Sequence, residues 1–408
     1  MNRTSRALEA TRRPPGRAPA DAGGRSGATR LPFADLPPRI LLLIVLLATT
    51  GCATASADGD DEHRDGHSFS GVERIVAIGD IHGDWDGYIA TLQAAGLIDD
   101  RDRWSGGETH LVQTGDLADR GPDTRRIIEH MAQLARQARR AGGRVHNLMG
   151  NHEAMNVYGD LRYVTPGEFE AWADRRSARL RDRYYDELMT RMRENDPEAF
   201  EALPDNYREQ WNAEHPEGWL EHRYAWSPLW DDDGPMYEWV RDQRVAVRIN
   251  DLVFLHGGIS TAYCRDALSD WTERAQDALD ARSQEELDIL VDPLGPLWYR
   301  GLSGVEPTAS MAAVEAILAR YEANHIVVGH TPTGGVIWPR YGGRVIQIDT
   351  GIGAHYGGHI GYLEITDQGR FAGYRNGTIR LPRIDAARDD YVREVRELLG
   401  DPPQLAER

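Results

Sequence analysis

Six short runs of apolar, largely β-branched residues in this chain each stop at a carboxylate, amide or imidazole set beside glycine. "RIVAIGDIHG" (74–83) carries Ile75 to Ile78 straight into Asp80 and His82, flanked by Gly79 and Gly83. "HLVQTGDLADRG" (110–121) ends in Asp116, Asp119 and Arg120, and "RVHNLMGNHE" (144–153) in Asn151, His152 and Glu153. "DLVFLHGG" (251–258), "HIVVGHTPT" (325–333) and "RVIQIDTG" (344–351) deliver His256, His330 and Asp349. An unpaired charge is costly to bury, so a core strand does not end this way by accident. Strands of this length, alternating with helical stretches such as 123–140 and 310–323, predict a layered α/β domain. In such sheets functional groups collect beyond the carboxyl ends of strands. The polar endings are therefore expected to gather at one edge around positive charge. Glycine there lets the chain turn sharply and lets a ligand approach the backbone.

Asp80, His82, Asp116, Asn151, His256 and His330 form a set of hard oxygen and imidazole donors without a thiolate. Such a set suits divalent Mn, Fe or Zn rather than a structural cysteine site. Six donors are too many for one tetrahedral ion, whereas two ions sharing a carboxylate would use them all and leave room for water. Any one element alone could be a capped turn or a satisfied core histidine; their recurrence in order makes the set a candidate metal centre. His146, His215, His222 and His325 are expected to be ordinary surface or core residues. His355 and His359, which follow the Asp349 turn, are candidates to line the site.

The blocks "GDIHG", "GDLADRG", "GNHE", "HGG" and "GHT" resemble those of calcineurin-like metallophosphoesterases of the phosphoprotein phosphatase group. Two further stretches, "NHEAMNVYGDLRYVT" (151–165) and "GPLWYRG" (295–301), are similar to the Shewanella-like branch of that group. The resemblance implies a β-sandwich flanked by helices and metal-dependent hydrolysis of phosphomonoesters by a hydroxide shared between two metals. It implies that Asp80 and His82 bind the first metal, that Asp116 bridges both, and that Asn151, His256 and His330 bind the second. His152 would protonate the leaving oxygen with Asp119 holding its ring, and Arg120 would grip the phosphate, with Arg300 as the second phosphate-binding arginine. Asp349 falls where eukaryotic relatives carry a different, tyrosine-containing loop, so no role is carried over to it.

Net charge is −18, which argues against a nucleic-acid backbone as partner. All 47 basic residues are arginine, so no lysine amine takes part in catalysis. Cys264 in "TAYCRDA" lacks the basic cradle of a thiol phosphatase nucleophile and is expected to pack in the core. "ILLLIVLLATTGC" (40–52) is shorter than the ~20 apolar residues a membrane-spanning helix needs. Preceded by an arginine-rich segment, it reads as a secretory signal, and its ending resembles a bacterial lipobox with Cys52 as the lipidated residue. The expected organisation is a leader over 1–52, a polar tether over 53–70 and a metallophosphoesterase domain over 71–383. A helical cap is inserted at about 160–248 and a C-terminal helix and tail occupy 384–408.

The cap region is rich in aromatics: Tyr184, Tyr185, Trp211, Trp219, Tyr224, Trp226, Trp230, Tyr237 and Trp239. They either build the cap's own small core or line a cleft that favours an aromatic phosphoester. Three functions fit the sequence. The first is an exported, membrane-anchored protein phosphatase, with phosphotyrosine preference as its sharper form. The second is a hydrolase of dinucleoside polyphosphates or other small phosphoesters. The third, a non-catalytic metal-binding lipoprotein, would have no use for His152.

Overall fold

The computed structural model describes residues 66–228, 234–280, 286–304, 307–382 and 388–399. The expected leader, tether residues 53–65, Trp230 and the tail from residue 400 lie outside the described residues. The chain begins with β1 (Ser68–Phe69), β2 (Ile75–Ile78), α1 (Trp85–Ala94), β3 (His110–Gln113), α2 (Thr124–Arg140), β4 (Arg144–Asn147) and α3 (Asn151–Tyr158). A run of helices follows: α4 (Pro166–Glu170), α5 (Ser177–Asn195), α6 (Pro197–Glu201), α7 (Tyr207–Glu214), α8 (Trp219–Trp226) and α9 (Pro235–Arg241). Strands resume with β5 (Ala246–Ile249) and β6 (Leu252–Leu255), then α10 (Leu268–Leu279), α11 (Met311–Arg320), β7 (His325–Val328), β8 (Trp338–Arg340) and β9 (Val345–Gln347). The meander β10 (Gly361–Thr366), β11 (Gly369–Tyr374) and β12 (Gly377–Arg380) leads to α12 (Arg388–Leu399).

Two six-stranded sheets result, in the orders β1-β5-β6-β7-β9-β8 and β12-β11-β10-β2-β3-β4. Side chains alternate faces along a strand, and here both faces are covered. Ile75, Ala77 and Val112 point from one sheet to meet Val247, Phe254, Val327 and Ile346 from the other. Val76, Ile78 and Leu111 face the opposite way, onto Leu92, Ile127, Met131 and Leu134 of α1 and α2. Burial on both sides is why these strands read as continuous apolar runs rather than alternating ones. The fold is thus the expected α/β class: a sandwich of two mixed sheets flanked by helices.

Three boundaries differ from the sequence reading. The last tether residues belong to the sheet: Ser68 and Phe69 pair in parallel with Arg248 and Ile249, and His67 is buried. The helical insertion ends before Ala246, because Ala246–Ile249 is β5, which pairs antiparallel with β6. The C-terminal helix is no appendage, since Tyr391 and Val395 of α12 join the inter-sheet core. Tyr391 donates from its hydroxyl to Ile337 O at 2.6 Å. Cys264 is fully buried in the core.

Candidate active site

Parallel pairing sets the polar strand ends side by side. Ile78 lies opposite Gln113 and Gln113 opposite Asn147, while Leu255 lies opposite Val328 in the other sheet. The loops after these strands meet across the sandwich, and His256 Nδ1–H donates to Thr114 O at 2.9 Å from one sheet to the other. Asp80, His82, Asp116, Asn151, His256 and His330 are each 4% exposed or less. Their backbone is unusual. Among the described residues ten non-glycines adopt positive φ, and five of them, His82, Asp116, Asp119, Arg120 and His330, are here. Such conformations cost about 1–3 kcal/mol each and persist only when the surroundings over-determine them.

Glu153 supplies much of that determination. Its buried carboxylate accepts from Asp116 N (2.8 Å), Leu117 N (2.8 Å), Ala118 N (3.1 Å) and Gly150 N (3.0 Å). Ile81 N and His82 N both donate to Asp116 O, at 2.9 and 3.1 Å. The glycines are required by close approach: a Cβ on Gly150 would lie 2.2 Å from Asp116 Oδ1, and one on Gly329 2.5 Å from Asp80 Oδ1.

The hydrogen bonds outside the site fix which ring nitrogens face it. With Nδ1 donating to Thr114 O, His256 turns its Nε2 toward Asn151 Oδ1 at 2.9 Å and Asp116 Oδ2 at 3.2 Å. His82 Nδ1 likewise donates to Ala118 O at 3.0 Å, leaving Nε2 3.9 Å from both Asp80 Oδ2 and Asp116 Oδ2. His330 Nε2 is buried with no hydrogen-bond partner. Imidazole nitrogens and carboxylate and amide oxygens thus converge on one buried edge, a set that divalent cations lying among them would satisfy. The residues therefore fit a metal centre, with backbone carbonyls orienting the histidine ligands from behind.

Electrostatics agree with that fit. Burial lowers His82 to about 3 and holds His330 well below its ordinary value, keeping both imidazoles neutral as ligands must be. Burial opposes charge on Asp116, but the neighbouring His256 and His152 outweigh it and keep the carboxylate ionised. Asp80 is pushed up by burial and by the carboxylates of Asp349 and Asp116.

Two three-residue groups bring their donor atoms within 4.8 Å of one another, His82–Asp116–His152 and Asp116–His256–His330. Asp116 belongs to both, as a shared carboxylate would. The first group departs from the sequence expectation by containing His152 where Asp80 was expected. Asp80 turns both oxygens to the His330 amide, at 3.0 and 3.1 Å.

His152 Nδ1–H donates to Asp119 Oδ2 at 2.5 Å, and its Nε2 lies 3.8 Å from Asp116 Oδ2. Burial disfavours charge on this ring, yet Asp116 and Asp119 hold it up to about 9. Asn156 Nδ2 fixes the other oxygen of Asp119 at 2.9 Å. The Arg120 guanidinium lies 4.0 Å over the Tyr163 ring, whose centroid is 5.0 Å from that of His152. Arg300 reaches the same edge, donating from Nη1 to His330 O at 2.8 Å and Thr331 Oγ1 at 3.2 Å.

Asp349 is buried among these groups, accepting from Gly351 N at 3.0 Å and pushed up to about 7 by burial. The Tyr356 ring lies tilted against His82, with centroids 5.0 Å apart. His355, with His82, Trp85, Arg120 and Arg126, lines a cleft of about 400 Å³ beside the edge. His359 instead packs on the Gly335 and Gly357 turns. His146, His215, His222 and His325 lie elsewhere: paired with His110, stacked on Trp211, enclosed in the cap and bonded to Gly343 O.

Four contributors escaped the sequence reading: Glu153, Asn156, Tyr163 and Tyr356. Glu153 closes the "GNHE" block, and Asn156 and Tyr163 fall inside the 151–165 stretch, so their positions were marked although their contacts were not. Tyr356 carried no sequence signal.

A family model described as calcineurin-like phosphoesterase matches residues 73–334. An uncharacterized protein of Schizosaccharomyces pombe is 30% identical over 320 residues, covering 75% of this chain and 82% of that protein. Shewanella-like protein phosphatase 2 of Arabidopsis thaliana is 38% identical over 202 residues, 47% of this chain and 48% of its own length. Among solved structures, the cold-active protein-tyrosine phosphatase of a psychrophilic Shewanella species superposes with a TM-score of 0.58 at 29% identity, covering 77% of this chain and 82% of that one. The chain belongs to the calcineurin-like phosphoesterases: it is a metallophosphoesterase, a phosphoric ester hydrolase of a family that works through a dinuclear divalent metal centre, and Shewanella-like protein phosphatases are among its homologues.

Proposed function

We propose that this metallophosphoesterase is a protein phosphatase with preference for phosphotyrosine. The observation that carries the reading is the buried His152–Asp119 pair, joined at 2.5 Å, beside an edge where candidate ligand atoms converge. In this reading Asp80 and His82 hold one cation, Asn151, His256 and His330 the other, and Asp116 both. The donor chemistry suits Mn, Fe or Zn. When bound, the two ions supply Lewis acidity, lowering the pKa of a water and offsetting phosphoryl charge.

The protein's own groups do the rest. Asp119 keeps a proton on His152 Nδ1 and aims Nε2 at the departing oxygen, so that the imidazolium delivers its proton as the ester bond breaks. Such proton delivery contributes about 10²–10⁴-fold to a rate. Arg120, backed by Tyr163, and Arg300, anchored on the His330 carbonyl, offer planar forks that match phosphoryl oxygens. Tyr163 and Tyr356 place aromatic faces beside His152 and His82, where an aryl leaving group would sit.

The test is a panel of phosphotyrosyl peptide, phosphoseryl peptide and diadenosine tetraphosphate, assayed after metal stripping and readdition of Mn, Fe or Zn. Fastest turnover of the phosphotyrosyl peptide, restored by readdition, is expected. Faster cleavage of the dinucleotide would displace the protein phosphatase reading.

The same proposal places the protein outside the cytoplasm, held to a membrane by lipid on Cys52. The support is the sequence: an arginine-rich segment, a short apolar stretch and Thr50-Gly51-Cys52. Cys52→Ser should move the full-length protein from the membrane to the soluble fraction without changing turnover. Unaltered membrane association would refute the anchor.

A further inference from the structure

The turn that carries Tyr356 has little rigidity of its own and is held from outside by one carboxylate. Residues 351–358 run Gly-Ile-Gly-Ala-His-Tyr-Gly-Gly. Gly351, Gly357 and Gly358 have φ of 79°, 112° and 69°, a region that glycine visits freely because it lacks a Cβ. Within the turn, Tyr356 N donates to Gly353 O at 2.8 Å and Gly357 N to Ala354 O at 3.2 Å. Ala354, His355, Gly357 and Gly358 are exposed, and Tyr356 is half-buried. Among the described residues, a single hydrogen bond joins Ala354, His355 or Tyr356 to a residue outside this segment: Ala354 N donates to Asp84 Oδ2 at 2.7 Å.

Asp84 is placed for this by its own backbone. It is the N-cap of α1, and its other oxygen, Oδ1, accepts from Gly87 N at 2.8 Å. One carboxylate thus serves two amides, the second of them 270 residues away along the chain. The same two segments also touch directly. A Cβ on Gly353 would lie 2.9 Å from Ile81 O and 3.2 Å from His82 Cβ, and one on Gly87 would lie 2.8 Å from Ile352 O.

The turn therefore rests on the loop that delivers His82, and it sets the Tyr356 ring centroid 5.0 Å from that of His82. Asp84, Ala354 and His355 line the cleft of about 400 Å³ that His82 and Arg120 also line.

We infer that Asp84 is a positioning residue for substrate selection: by joining α1 to the 353–356 turn it holds the Tyr356 ring beside the metal edge, and through that ring it favours aryl over alkyl phosphoesters. This inference rests on the phosphotyrosine-preferring reading, in which Tyr356 lies beside the aryl group.

Its test separates the clamp from the helix cap. Serine caps a helix about as well as aspartate, but its one oxygen serves Gly87 N and leaves Ala354 N without a partner. In the full-length metal-loaded enzyme, Asp84→Ser should lower kcat/KM for a phosphotyrosyl peptide by about three- to tenfold, the factor an aromatic contact typically contributes. The loss should lie in KM, as for a contact made equally in the ground and transition states. A matched phosphoseryl peptide, which lacks the ring, should change by less than about twofold. Bound metal should be unchanged, and the amides of residues 354–356 should exchange faster. Asp84→Ala should show the same change of selectivity with a lower thermal midpoint, because it removes the cap as well.

Equal losses on the two peptides, loss of metal, or an unchanged ratio of the two kcat/KM values would overturn the inference. Tyr356→Ala run alongside separates the two readings. If that variant loses the preference and the Asp84 variants keep it, the positioning role alone fails. If Tyr356→Ala keeps the preference, Tyr356 is not the aryl contact, and the inference fails together with that part of the proposed function.

Discussion

The metal edge and the helical cap are built on opposite principles. At the edge, donors drawn from residues 80 to 330 are almost wholly buried and tied by hydrogen bonds between loops, as Asp116 N is to Glu153, His256 to Thr114 O and the His330 amide to Asp80. In the cap, most residues of α5, α6 and α7 are half-buried or exposed, and the order comes from a small aromatic cluster. Trp211 lies at its centre, with ring centroids of Tyr185 at 5.1 Å, Trp219 at 6.2 Å, Tyr184 at 6.4 Å and His215 at 4.4 Å. These aromatics contact one another, which favours the cap-core alternative over a substrate-lining role for this group. Chemistry dictates residue identity at the edge, because only certain atoms ligate a cation. In the cap only volume and shape are dictated, and many residues can meet them.

The sharpest way to break that contrast is to change one atom at the edge. Asp116→Asn keeps the volume but removes the charge shared by both donor groups, so bound metal measured after purification should fall and hydrolysis should drop by orders of magnitude. Full metal content in that variant would mean that Asp116 does not link the two groups. His152→Ala should act differently. Metal should stay bound while turnover falls by about 10²–10⁴-fold, the usual contribution of a general acid, and full activity would remove that role.

A change in the cap should do the reverse. Trp211 is almost fully buried, and truncating a buried aromatic to alanine costs about 3–5 kcal/mol. Trp211→Ala should lower the thermal stability of the cap, read as faster amide exchange across α5 and α7, while bound metal stays as in the wild type. Loss of metal from this variant would show that the two regions are not separable in the way their packing suggests.

The same contrast explains what the sequence revealed. The six apolar runs ending in polar residues became β2, β3, β4, β6, β7 and β9, all but the edge strand β4 almost wholly buried. The donors were visible because few residue types can do their work. Strands such as β12, "GTIR", gave no comparable signal: three of its four residues are exposed, so little apolar pattern marks it. The end of the tether was misjudged for a related reason. Ser68 and Phe69 form only a two-residue strand, whose pairing depends on Arg248 and Ile249 far along the chain.

The smallest expected effect tests whether charge, rather than aromatic packing, holds the cap. Arg208 on α7 reaches α5, 3.0 Å from Asp182 and 3.4 Å from Asp186, with its guanidinium 4.8 Å over the Tyr185 ring. Through these contacts Arg208 ties the two helices directly. Its side chain and that of Asp182 are each 47% exposed, however, and pairs this open to water typically contribute about 0.2–1 kcal/mol. Arg208→Ala should therefore shift the thermal midpoint by no more than a few degrees, and the shift should shrink further in salt as the charges are screened. A loss as large as that of Trp211→Ala, persisting in salt, would mean that the cap is held by an ion-pair network and that its aromatic cluster is secondary.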